Sequence, residues 1–181
     1  MTERKMTSEK TIYGNKLMSV LQREYDVNGK HRTYTMIKRS DSVIAIPLTE
    51  ERKTLLLKQY RYPTEKDSLE FPMGGVDEGE TTVEALKREF EEETRLRAEN
   101  FVEVGEFFPV SGLTDQVAHV FVVKIAEEKL LMASPRDCEE DIESPMIVSA
   151  DDVFRLVRNG KITDGFTISA ALFLKLYLER K

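Results

Sequence analysis

A chain of 181 residues, 40% hydrophobic and 33% charged, can build a packed domain and is too apolar to be a disordered tract. A formal net charge of −6 argues against a general nucleic-acid binder, and no apolar run reaches the ~20 residues of a membrane helix. The one cysteine, Cys138, has no internal disulfide partner and the N-terminal MTERKMTSEK has no apolar signal core, so a cytoplasmic protein is expected.

In chain order, NKLMSVLQREYDV and KHRTYTMIKR read as the two arms of a β-hairpin, because Asn28-Gly29 between strand-like runs favours a tight turn. The apolar, β-branched SVIAIPL (42–48) predicts a buried strand, and TLLLKQYRY (54–62) predicts another after the turn TEERK. Rich in glycine and proline, FPMGGVDEGE predicts a loop. TTVEALKREFEEETRL then predicts a helix with a stripe of Val83, Leu86 and Phe90 and an N-cap at Thr81 or Thr82. FVEVGEFF and VAHVFVVKI read as strands joined by the loop PVSGLTDQ. An acidic irregular stretch, ASPRDCEEDIESP, follows, and ADDVFRLVRNG and GFTISAALFLKLYLERK read as helices. Strands, a helix, strands and then helices predict an α+β domain.

The charged helix carries the chemistry. At about 100° per residue, Glu89, Glu92 and Glu93 share one third of the circumference and Glu91 points elsewhere. Arg88 is spaced to pair with Glu84 or Glu92. Alone, such a face is solvated charge laced by ion pairs. With Gly74 and Gly75 just upstream, the clustered carboxylates also suit a hard divalent cation and metal-assisted phosphate chemistry.

Residues 74–96 resemble the Nudix box, GX5EX7REUXEEXGU with U a bulky aliphatic residue. Gly74, Glu80, Arg88, Glu89, Phe90, Glu92, Glu93 and Leu96 fall in register. The resemblance implies an α/β/α sandwich around a mixed β-sheet that cleaves nucleoside diphosphates linked to another moiety, using Mg2+ or Mn2+ and water. It implies Glu89, Glu92, Glu93 and the Met73 carbonyl as metal ligands, Arg88 as the residue that orients the glutamates, and Glu80 as a brace for the loop. The catalytic set is then Glu92, Glu93 and Arg88.

YGNKLMSV, NGKHRTYTMIKR, SVIAIPL, LLLKQYRYP, LEFPMGG and NGKITDGFTISAALFL extend the similarity to the ADP-ribose pyrophosphatase branch. That implies residues 1–40 as an N-terminal antiparallel β extension for dimerisation and substrate, and 41–181 as the Nudix hydrolase domain. It also implies a homodimer with exchanged N-terminal strands and a small-molecule nucleoside diphosphate as partner, with no nucleic acid and no membrane. Arg61 is expected to contact substrate, and Tyr34 and Arg39 the adenine.

Three positions depart from the pattern. Arg95 stands at the box glycine, Gln116 at the loop glutamate that binds metal or takes a proton, and Ser111 at a loop proline. Gln116 remains a candidate substrate contact, but an amide is no base. The acidic run Glu139, Glu140, Asp141 and Glu143, or a box glutamate, would then activate the water. The expected reaction is Mg2+-dependent hydrolysis of ADP-ribose or a related nucleoside diphosphate sugar to a nucleoside monophosphate and a sugar phosphate. The alternatives are a GDP-mannose-type pyrophosphatase and a catalytically impaired nucleotide-sugar sensor. His31 and His119 show no metal-like partner pattern and read as structural.

Overall fold

The computed structural model describes residues 2–134 and 145–180. The acidic run Glu139, Glu140, Asp141 and Glu143 lies outside the described residues. The chain divides into two compact units, residues 1–41 with 108–117, and residues 42–107 with 118–181.

The first unit is an antiparallel sheet of β1 (Arg4–Gly14), β2 (Ser19–Val27) and β3 (Lys30–Lys38), in that order. Asn28 and Gly29 both take positive φ (52° and 77°), the mirror-image turn whose twist matches a two-residue hairpin. Asp26 closes it by accepting the Gly29 N–H at 2.7 Å. Residues 108–117 join this unit through the Ile37 N–H, which donates to the Leu113 carbonyl at 2.8 Å. The Val117 N–H likewise donates to Asp41 Oδ1 at 2.8 Å. Residues 1–10 show no element by local pattern, although the resemblance implies a β extension over 1–40, and strand β1 occupies them from Arg4. It is exposed along its whole length and is held by backbone pairing to β2. A strand that buries neither face has no need of hydrophobic alternation, so its period was invisible.

The second unit is built around β4 (Ser42–Leu48), buried at every position. It lies between β7 (Met73–Gly75) and β9 (Ala118–Lys124) in a four-stranded sheet of order β7-β4-β9-β8, with β8 spanning Asn100–Phe107. The β4–β9 pair is parallel and its neighbours are antiparallel, so the sheet is mixed. A further sheet has the order β10-β5-β6, formed by Met146–Ser149, Lys53–Arg61 and Lys66–Glu70. Alternate residues of β4 and β9 feed two hydrophobic clusters. Ile44, Ile46, Val120 and Val122 pack with Val153 of α3 (Ala150–Arg158) and with Ala170 and Leu174 of α4 (Gly165–Glu179). Val43, Ala45, Phe121 and Val123 pack with Ala85, Leu86 and Phe90 of α1 (Thr82–Thr94) and with Leu130 of the short α2 (Glu127–Leu130). Helices thus cover both faces, and the unit is an α/β/α sandwich. Strand β7 corrects the expectation that 71–80 is all loop: three residues with two glycines are too short to show a period.

A β-bulge interrupts β8. Glu103 lies opposite Phe121, but Gly105 lies opposite Val120 and Glu106 opposite His119. Val104 and Gly105 therefore both face the α4 side, where a Cβ on Gly105 would come 2.2 Å from the Phe173 ring. Glu103 and Glu106, three apart in sequence, share the opposite face.

Candidate active site

Helix α1 begins as the sequence suggests. Thr81 is the N-cap, and its hydroxyl accepts the Glu84 N–H at 3.2 Å while Glu84 Oε2 accepts the Thr81 N–H at 2.8 Å. This reciprocal box satisfies two backbone N–H groups that the first turn would otherwise leave without partners. It also holds the Glu84 carboxyl below the usual carboxylate range, chiefly through the Thr81 backbone N–H. Glu84 is therefore committed to the cap, and Arg88 turns instead to four other carboxylates.

The Arg88 guanidinium spans Glu80 as a fork, with Nε to Oε1 at 3.0 Å and Nη2 to Oε2 at 2.8 Å. Its Nη1 donates to Glu89 at 2.7 Å and to Glu92 at 3.4 Å. Nη2 also donates to the Gly75 carbonyl at 2.9 Å and lies 3.7 Å from Asp77. Arg88 thereby ties the glycine-bearing strand β7 and the following loop to the helix. The Glu80 carboxyl is lowered, first by the Arg88 hydrogen bonds and further by the Asp77 N–H. A depressed folded-state value means that the Glu80–Arg88 link stabilises fully above the ordinary carboxylate range and is lost as pH falls through the depressed value.

Glu93 is buried, and its Oε2 accepts the Met73 N–H at 2.9 Å. Glu89 lies against Gly74: a Cβ there would sit 1.9 Å from the Glu89 Cδ. Only glycine admits the carboxylate at that place. Glu91 points away, 3.6 Å from Arg97. The helix thus presents oxygen donors from Glu89, Glu92 and Glu93 beside the Met73–Gly75 backbone, and a donor set of oxygens alone fits a hard divalent cation.

Arg95 caps the helix with φ 58° and ψ 13°, and its N–H donates to the Glu91 carbonyl. The left-handed conformation that favours glycine is present, at a cost of about 1 kcal/mol for a side chain with a Cβ. Thr94 Oγ1 accepts the Leu96 N–H at 3.1 Å and steadies the exit one residue beyond the charged turn.

Arg61 ends β5, and its Nε donates to Glu70 Oε1 at 2.9 Å in a two-point pair with that buried carboxylate. The sequence reading named Arg61 and missed Glu70, which lies opposite Leu57 on β6. It also missed Asp164, the N-cap of α4, whose Oδ2 accepts the Thr167 N–H at 2.7 Å. Burial pushes the Asp164 carboxyl up, and the Glu70 charge adds to the shift. An aspartate ahead of an apolar helical run was the available signal.

Three named candidates, Tyr34, Arg39 and Gln116, belong to the first unit. Tyr34 is exposed, meets Tyr25 edge to face at 5.8 Å, and lines a cleft of about 680 Å³ with Arg4, Arg32, Phe108 and Asp115. Arg39 is exposed and outside that lining. Gln116 is buried, with its N–H on Thr114 Oγ1 at 3.1 Å.

Among the described residues, one trio of imidazole and carboxylate donors has its atoms within 4.8 Å of one another. It is Glu103, Glu106 and His119, not the helix glutamates. His119 has no partners by local spacing because the bulge sets the parity of β8.

A family model described as NUDIX domain matches residues 38–166. The chain is 29% identical to the ADP-ribose pyrophosphatase of Bacillus subtilis (strain 168), over 96% of this chain and 94% of that protein. It is 28% identical to a methanol dehydrogenase activator of Bacillus methanolicus, covering 95% of each. It is 31% identical to the ADP-sugar pyrophosphatase of Mus musculus, over 80% of this chain and 72% of the other. A solved structure described as an ADP compounds hydrolase superposes with a TM-score of 0.79 at 19% identity, covering 98% of this chain and 95% of that one.

Proposed function

The chain belongs to the Nudix hydrolase family, and from that premise we propose that it hydrolyses the diphosphate bond of ADP-ribose or a related nucleoside diphosphate sugar. The products are a nucleoside monophosphate and a sugar phosphate. The observation that most directly supports this reading is Glu89 seated against the Cβ-less face of Gly74, beside Glu93 and under the Arg88 fork.

Nudix hydrolases generally work with a divalent metal, and we assign Mg2+, with Mn2+ as a substitute. Glu89, Glu92, Glu93 and the Met73 carbonyl would hold it. When bound, the cation neutralises diphosphate charge and makes water a better nucleophile. Arg88 keeps Glu89 and Glu92 from splaying apart, and Glu80 holds Arg88 in plane. Glu93 is buried and is steadied by the Met73 N–H. Arg61, its plane fixed by Glu70, is assigned to the substrate phosphates, for which a guanidinium is well shaped. Tyr34 and Arg39 are assigned to the adenine base and Gln116 to substrate. Because an amide accepts no proton from water, a carboxylate of the box is the assigned base.

We assign residues 1–40 to dimerisation and substrate and 41–181 to hydrolysis, in a cytoplasmic homodimer with exchanged N-terminal strands. Met6, Ile12, Tyr13 and Leu17 support the dimer, being large apolar side chains exposed on and beside β1. Sedimentation velocity at micromolar protein is expected to give a dimer mass; a monomer mass would remove the exchange. No helix among the described residues is long and apolar enough to cross a membrane.

The function is tested by Mg2+-dependent turnover of ADP-ribose, GDP-mannose, NADH and dinucleoside polyphosphates, with EDTA controls. The expected result is AMP and ribose 5-phosphate from ADP-ribose. Binding of these compounds with no turnover of any would overturn the enzyme. Gln116 would then mark a sensor of nucleotide sugars.

A further inference from the structure

We propose that Glu103, Glu106 and His119 form a second cation site, selective for a first-row transition dication such as Zn2+, Mn2+ or Co2+ over Mg2+. His119 Nδ1 lies 2.9 Å from Glu103 Oε1 and 3.7 Å from Glu106 Oε2, and all three donor atoms lie within 4.8 Å of one another. Donors bound at about 2.0–2.2 Å around one ion stand roughly 3–4 Å apart, so the trio closes on a common centre with small side-chain movements. One imidazole and two carboxylates on one side of an ion leave its other positions to water. Imidazole favours zinc and its neighbours in the first row, whereas magnesium prefers oxygen alone.

The fold builds this arrangement on purpose-made backbone. In a regular strand Glu103 and Glu106 would face opposite ways. The bulge at Val104–Gly105 turns both to the face that carries His119, directly opposite Glu106 on β9. Gly105 fits there because its missing Cβ leaves room for Phe173 on the other face. The charge balance differs from that of the helix glutamates. Arg88 pairs with Glu80, Glu89 and Glu92, but no lysine or arginine among the described residues makes an ion pair with Glu103 or Glu106. His119 is mostly covered at 16% exposure, while Glu103 and Glu106 are 45% and 63% exposed. A covered imidazole beside two exposed carboxylates leaves the trio open to an ion from solvent.

The site lies on the same cross-strand row as the box glycine. Gly74 is opposite Val43, Val43 beside His119, and His119 opposite Glu106. With strands about 4.8 Å apart, Gly74 and His119 are separated by roughly 10 Å. The trio shares no residue with the helix glutamates, so each set can be changed by mutation without substituting the other.

The test titrates Co2+ and follows its visible absorption in the Glu89→Gln/Glu93→Gln double variant, which removes helix donors. One tightly bound Co2+ is expected to remain, to resist excess Mg2+, and to raise the melting temperature. Adding His119→Gln is expected to weaken it by more than about tenfold, the scale of losses at far less direct positions. Glu106→Gln is expected to do the same, and as an exposed substitution it guards against a folding artefact. Loss of all Co2+ in the double variant, or binding indifferent to both His119→Gln and Glu106→Gln, would overturn the site and leave His119 as an ordinary hydrogen-bond partner of Glu103.

Discussion

Glu93→Gln lowers Mg2+-dependent hydrolysis of ADP-ribose by about 10²- to 10³-fold, the scale on which a charge-stabilising group acts in a water-poor site. The substitution preserves shape, and the amide oxygen can still accept the Met73 N–H that Glu93 accepts at 2.9 Å. Because the isosteric amide keeps that bond at a buried position, the melting temperature is expected to change little. Loss of rate with retained stability separates a role in cation binding from one in packing. Mg2+ titrations should show a higher metal requirement as well as a lower kcat. Glu91→Gln is the matched control: it lies on the same helix, faces Arg97, and should leave turnover unchanged. A Glu93→Gln enzyme within tenfold of the parent would remove Glu93 from the cation's ligands.

How far the sequence foretold this depends on what each residue does for the backbone. Helix α1 was legible because three signals agree: the Thr81 cap, the apolar stripe and the charged face, all set by one period. Arg95 was legible as an oddity, and its φ of 58° shows that the position keeps its left-handed geometry despite the side chain. Arg88 was legible as a partner of the glutamates, but not its choice among them, because the cap claims Glu84 and the loop brings Glu80 round. Strand β1 was legible through the resemblance but not through local periodicity, because nothing is buried along it. The Arg61–Glu70 pair joins residues nine apart across a hairpin and needs the β5–β6 register, which no local pattern encodes. The Glu103–Glu106–His119 trio needs more still: a bulge that reverses side-chain parity within one strand and a pairing between two strands. Local periods give elements and local partners, while register decides which distant polar groups meet.

Gly74→Ala, one added methyl group, is expected to cost about 10²-fold in kcat/KM with little change in melting temperature. The new Cβ would lie 1.9 Å from Glu89 Cδ and 2.2 and 2.3 Å from its two carboxylate oxygens. The obstacle is the far end of a flexible side chain, not backbone, so the chain yields by swinging Glu89 aside. To restore van der Waals contact the carboxylate must move by more than roughly 1 Å, a displacement that alone can cost about 10²-fold when it misplaces a catalytic group. The shift also strains the 2.7 Å bond to Glu89 from Arg88, the residue whose contacts with Gly75 and Glu80 tie the loop to the helix. Gly75→Ala is the internal comparison, since nothing lies within 4 Å of a Cβ there and its φ is not among the positive values. It should be silent in both assays. If the two alanine variants behave alike, Glu89 is not held where the diphosphate chemistry needs it. If only Gly74→Ala is slow, and Glu89→Ala in the Gly74→Ala background adds no further loss, then Gly74 acts through the position of that one carboxylate.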